Sequence, residues 1–177
     1  MPTMTLLPDA MIAESAGHWS SNTGGDRFDA VETNDGDTTY IEDDDNDDNV
    51  EFRIAQPSVT SADIGSITSV QLQTYGRFPA RGAGGSQVRY QFKNFPSDVA
   101  AEIITYPNSG SHQAVNGTVI TTDSAGNAID YADIRDITLF WQKYLASSSA
   151  VRITYIAIVV TYVAAITDNA IFFGHNF

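Results

Sequence analysis

Residues 150–163, AVRITYIAIVVTYV, constrain the fold more than any other stretch of the chain. They are rich in β-branched and aromatic side chains and contain no Gly, Pro or acid, which suits a buried pleated strand and not a helix. Successive side chains of a strand point to opposite sides. One side carries Val151, Ile153, Tyr155, Ala157, Val159 and Thr161. The other begins polar with Arg152 and Thr154, then continues with Ile156, Ile158, Val160 and Tyr162. A sandwich strand needs only one apolar face. This one has two over its second half, so a second cover is expected, from another segment of the chain or from another subunit.

The rest of the chain reads as short strands between turns. Residues 50–55 (VEFRIA) alternate Val50, Phe52 and Ile54 against Glu51 and Arg53. Residues 67–78 place Val70 and Leu72 inward, and residues 87–95 set Val88, Tyr90 and Phe92 against Gln87, Arg89, Gln91 and Lys93. These last two strands are expected to form one long hairpin with a polar, basic outer face. Short strands are also expected at 28–31, 38–41 and 99–106, with a hairpin tip at Asn116-Gly117. Residues 129–137 (IDYADIRDI) are the one helix-like stretch, because Ile134 and Ile137 share a face. About eight to ten strands with almost no helix predict an all-β fold, an antiparallel β-sandwich or jelly roll. The predicted organisation is an N-terminal arm over 1–16, the sandwich over 17–163 and a C-terminal tail over 164–177. Pro2 and Pro8 discourage helix in the arm, and Trp19 is expected as a core anchor.

Charge narrows the partners. The net charge is −13, and twelve of the 22 acids lie between Asp26 and Glu51 with one base, Arg27. Between Ile64 and Ser97 lie Arg77, Arg81, Arg89 and Lys93 and no acid, which reads either as scattered solubilising charge or as a basic docking face. An acidic chain repels nucleic acid, so nucleic-acid binding is not expected. No apolar run is long enough to span a bilayer as a helix, and the N-terminus lacks the basic start of a secretion signal, so a soluble, intracellularly made protein is expected. There is no cysteine, hence no disulfide or thiolate site.

No motif spells out a reaction. The sequence has no G-x-S-x-G, and His18, His112 and His175 fall in loops and a tail, so no catalytic residue and no cofactor are expected. Asp130, Asp133 and Asp136 read more simply as an exposed acidic cap on the short helix than as a carboxylate pair for sugar hydrolysis. Asp43, Asp45 and Asp47 alternate like the start of an EF-hand loop, but Asp48 stands where Gly is needed and Ile54 where Glu is needed. An irregular Ca²⁺ site at these three acids stays open.

The order of features resembles head decoration (cement) proteins of tailed bacteriophages, a jelly-roll family. The likeness is carried by residues 5–10 (TLLPDA), Gly17-x-Trp19, residues 35–41 (DGDTTYI), Phe52-x-Ile54-x-x-Pro57, residues 67–72 (ITSVQL), residues 131–134 (YADI) and the closing strand. It covers roughly residues 5–163 and departs in the acidic run at 42–48 and in the tail. It implies a homotrimer seated on the outer surface of a virion, bound to the major capsid protein. The interface residues would be Leu6, Leu7, Met11 and Ile12 of the arm, Ile156, Ile158 and Val160 of the long strand, and Ile171, Phe172, Phe173 and Phe177 of the tail. The terminal residues among these fold back on their own sandwich or reach a neighbour. The alternative is a carbohydrate- or receptor-binding sandwich of a head fibre or tail appendage, with Tyr40, Tyr75, Tyr106 and Trp141 as stacking surfaces.

Overall fold

The computed structural model describes residues 1–14, 19–36, 38–43, 48–78, 86–95, 100–107, 109–123, 125–145 and 150–166. The strands in chain order are β1 (Thr3–Leu6), β2 (Pro8–Glu14), β3 (Ser20–Ser21), β4 (Ile41–Asp43), β5 (Asn49–Ile54), β6 (Ile64–Arg77), β7 (Ser86–Lys93), β8 (Glu102–Tyr106), β9 (Gln113–Asn116), β10 (Thr138–Leu145) and β11 (Val151–Ala164). A short helix, α1 (Tyr131–Arg135), precedes β10. One sheet runs β3-β4-β11-β6-β9, with β1 also paired to β11, and the other runs β2-β5-β10-β7-β8. The strand pairings are antiparallel, so the fold is the predicted all-β sandwich with one short helix.

Period-2 patterning built both sheets. Val50, Phe52 and Ile54 of β5, Val88, Tyr90 and Phe92 of β7, and Val70 and Leu72 of β6 all point into the core, as their alternation predicts. Trp19 and Trp141 are fully buried among them. Each large apolar side chain buried this way contributes roughly 1.5–3 kcal/mol.

β11 departs from its simple reading at one residue. Ile153 pairs with Gly76 and Tyr155 with Tyr75, so Thr154 is the extra residue of a β-bulge. Its hydroxyl donates to the Tyr75 carbonyl at 3.3 Å. The bulge shifts the alternation by one, so Val151 and Ile153 before it and Ile156, Ile158 and Val160 after it all face the same core. Tyr155, Val159 and Thr161 face outward, half-buried. The second apolar face of this strand is therefore the outer one, with Tyr155, Ala157 and Val159, whereas Ile156, Ile158 and Val160 are interior residues of a single chain.

The N-terminal arm is likewise part of the sandwich. Met4 and Leu6 of β1 are buried against β11, and β2 forms the edge of the second sheet beside β5, where Pro8 is tolerated. Leu7 and Met11 are half-buried, and of the four arm residues read as contacts Ile12 alone stands out, at 51% exposure. Residues 167–177, with Ile171, Phe172, Phe173 and Phe177, lie outside the described residues.

Other expectations are corrected by topology. β6 and β7 do not form a hairpin, because β6 lies in the first sheet and β7 in the second. Residues 29–31 form a 3₁₀ turn and not a strand. Asn116-Gly117 is no hairpin tip. Gly117 N–H donates to the Leu72 carbonyl at 3.0 Å, and the chain runs on beside β6 to an antiparallel bridge between Ile120 and Val70. The Tyr90 hydroxyl covers Gly117 and donates to the Glu102 carboxylate. That carboxylate also accepts the Thr118 N–H at 3.0 Å and its hydroxyl at 2.9 Å, tying the segment after β9 to β8 of the opposite sheet.

Burial, reinforced at Tyr90 by Glu102, raises the phenol of Tyr90, and burial likewise raises that of Tyr106, both from an ordinary 10.0. A group raised on folding supports stability fully below its unfolded value and loses it as pH rises toward the folded one. The denaturation midpoint should therefore hold up to about pH 10 and fall above it. Tyr90→Phe should flatten that fall, and an equally steep alkaline loss in the variant would show that Tyr90 is not a source of it.

Candidate functional site

The outer face of the six-stranded sheet gathers aromatic and polar groups in rows. Glu42, Arg152 and Arg77 form one row across β4, β11 and β6, since Arg152 pairs in register with both Glu42 and Arg77. Arg152 donates to Glu42 at 2.9 Å and lies over the Tyr40 ring, 4.6 Å from its centroid. Arg77 donates to the Gly110 carbonyl at 2.7 Å. The next row is aromatic. Tyr155 sits opposite Tyr75, and the His112 ring stacks on Tyr75 with centroids 5.9 Å apart, while Tyr40, the residue before β4, lies under Arg152 on the same face. Below it, Ala157 pairs with Gln73 and Val159 with Gln71.

The bulge at Thr154 makes this row. Without the shift, Tyr155 would follow Ile153 into the core and Ile156 would take its place outside. Among the described residues, the hydroxyls of Tyr40, Tyr75 and Tyr155 and the amide of Gln73 have no hydrogen-bond partner. Burial pushes the Tyr155 phenol above its ordinary value, which keeps it a neutral donor at physiological pH. Half-buried rings with unbonded hydroxyls beside a free amide can stack on an apolar ring face and hydrogen-bond its hydroxyl substituents.

The candidate residues read from the sequence are only partly brought together. Tyr40 and Tyr75 share this face, whereas Tyr106 and Trp141 are fully buried in the core. Large aromatics in alternating strands look alike in sequence whichever side they take. Tyr155 was missed as a stacking residue because its side depends on the bulge. The basic face is divided between the two sheets. Arg77 lies on the first, Arg89 and Lys93 on the second, and Arg81 outside the described residues.

Asp43 is buried, and Asp45 and Asp47 lie outside the described residues, among which no group of three acids or histidines is placed to hold a metal. Asp130 and Asp133 cap α1 reciprocally, with Asp133 N–H donating to Asp130 at 3.1 Å and Asp130 N–H to Asp133 at 2.7 Å. Asp136 pairs with Arg135 at 2.8 Å. A cleft of about 280 Å³ lies between residues 64–67 and 128–131, and its one carboxylate is the helix cap Asp130.

No protein-family model matches the chain, and no curated protein matches it. Among solved structures it is similar to the CBM35 of Abf62 from Cellvibrio japonicus, with 9% identity and a TM-score of 0.50 over 93% of this chain and 96% of that one. It is also similar to the CBM36-1 domain of a multidomain xylanase from the hindgut metagenome of Trinervitermes trinervoides, with 8% identity and a TM-score of 0.48 over 93% and 100% of the two chains. The xylan-binding module CBM15 aligns with 11% identity and a TM-score of 0.46 over 91% and 97%. The likeness to the CBM35, at 9% identity, shows a shared fold alone. No phage decoration protein is among these neighbours.

Proposed function

We propose that the protein is a carbohydrate-binding β-sandwich whose ligand lies across the outer face of the six-stranded sheet, on Tyr40, Tyr75 and Tyr155. The observation that carries this reading is the pair of half-buried tyrosines Tyr155 and Tyr75 on the adjacent strands β11 and β6, with Tyr40 just before β4, and with unbonded hydroxyls and the free Gln73 amide beside them. Rings present apolar area and hydroxyls present polarity, the pairing that a pyranose requires. The module binds and does not catalyse.

The test is affinity electrophoresis against soluble neutral polysaccharides, with xylan, mannan and galactan as probes. Wild-type protein should be retarded by at least one of them. Tyr75→Ala and Tyr155→Ala should each weaken retention about tenfold, equivalent to about 1.4 kcal/mol. Ile12→Ala, on the opposite sheet, should leave it unchanged. Absence of retardation by every probe, or undiminished retardation of both tyrosine variants, would overturn the reading.

Capsid decoration has a narrower observation in its favour. Met1, Val163 and Ile166 are exposed at 83%, 42% and 90%, at the end of the sheet where Thr3 pairs with Thr161. Such apolar side chains fit contact with a larger surface. Mixing the protein with undecorated phage heads tests it, with co-sedimentation expected if that surface is a capsid. The same sandwich carried on an appendage would instead present its tyrosine face to host glycans.

A further inference from the structure

The outer face of the five-stranded sheet carries a second, different constellation. Phe140, Gln142 and Tyr144 of β10 stand beside Arg89, Gln91 and Lys93 of β7, with Phe140 opposite Gln91 and Gln142 opposite Arg89. Lys93 is neutralised, since its ammonium donates to Glu51 at 2.8 Å, and Glu51 also accepts the Thr138 hydroxyl at 3.1 Å. Arg89 is not. Its hydrogen bond goes to the neutral Gln142 amide oxygen, and no carboxylate pairs with it among the described residues. The guanidinium is flanked by the rings of Phe140 and Tyr144, with centroids 5.9 and 5.4 Å away. Tyr144 is 39% exposed.

We infer that this face binds an acidic glycan, with the carboxylate of a uronate residue on Arg89 and its sugar ring against Tyr144 and Phe140. An arginine without an acid, in a chain of net charge −13, is the unusual feature. A guanidinium has five N–H donors in a rigid fork, of which Gln142 takes one, leaving the fork geometry that a carboxylate fits. The rings on either side hold the fork in place, so little side-chain entropy is lost on binding. The neighbouring rings and the Gln91 amide match a sugar's apolar face and hydroxyls. An acidic peptide is disfavoured because β7 lies inside the sheet between β8 and β10, so no open backbone edge is available there for strand addition. This site stands independently of the tyrosine face on the other sheet.

The experiment is titration calorimetry of the full chain with trigalacturonic acid and with its methyl ester, the same sugar without charge. The acid should bind at least tenfold tighter than the ester, and added salt should weaken it. Arg89→Gln should remove that preference, with an unchanged melting curve as the folding control, and Arg89→Lys should retain part of it. Tyr144→Ala should weaken the acid about tenfold, whereas Tyr75→Ala should leave it unaltered, which separates this site from the neutral-glycan face. Equal affinity for acid and ester, or wild-type affinity in Arg89→Gln, would overturn the inference. So would loss of acid binding in Tyr75→Ala, tighter binding of dextran sulfate than of the uronate at equal charge, or equally tight binding of poly-glutamate.

Discussion

Ile158→Ala should destabilise the protein by about 2–5 kcal/mol in a denaturant titration, while Val159→Ala, one residue along, should stay within about 1 kcal/mol. Ile158 is fully buried in the core of one chain, and Val159 is half-buried on the outer face. The contrast reads the phase of β11 directly. Without the bulge at Thr154 the two residues would exchange roles, and so would the two losses. The same measurement distinguishes a core from a subunit contact. A core cavity costs the same at every protein concentration, whereas a lost interface shows a midpoint that moves with concentration. A concentration-dependent midpoint in wild-type protein that disappears in Ile158→Ala would restore the assembly role that the strand's composition first implied.

Gly117→Ala should cost about 1–3 kcal/mol through overpacking. A Cβ at Gly117 would collide with the Tyr90 hydroxyl and lie 2.6 Å from its Cζ. Relief requires moving Tyr90, which is buried in β7 and holds Glu102, the residue that secures Thr118. Combining Gly117→Ala with Tyr90→Phe should recover part of the loss, because the nearest atom is gone but the ring carbon remains. Thermal melts of the single and double variants check this. Additive losses in the double variant would show that the two residues do not meet.

Much of the fold was legible wherever one face of a strand is apolar and the other polar. The alternation of Val50, Phe52 and Ile54 and of Val88, Tyr90 and Phe92 announced both the strands and their inward sides, and burial agrees. β11 was legible as a strand but not in its phase. In a run as uniformly apolar as Ile156 to Val160, moving every side chain to the other side leaves the composition of each face nearly unchanged, so no pattern records the bulge. Pairing was less legible still. β6 and β7 are consecutive strands of opposite sheets, and their own residues fit a hairpin as well as a crossover. The candidate site inherits both blind spots. Composition marks Tyr75, Tyr106 and Trp141 alike as stacking aromatics, although Tyr106 and Trp141 fill the core, and the side that Tyr155 takes depends on the shift.

β11 is a seam shared by distant parts of the chain. β4 pairs with its first residues, β1 with its later ones along the same flank, and β6 along the other. On a ribosome, β1 and β4 therefore wait with unsatisfied backbone until nearly the whole sandwich has been translated. Such long-range closure is slow, and it leaves strand edges open to other nascent chains in the interval. Yield in a cell should then depend on how quickly residues 151–164 emerge and on what shields β1 and β4 until they do.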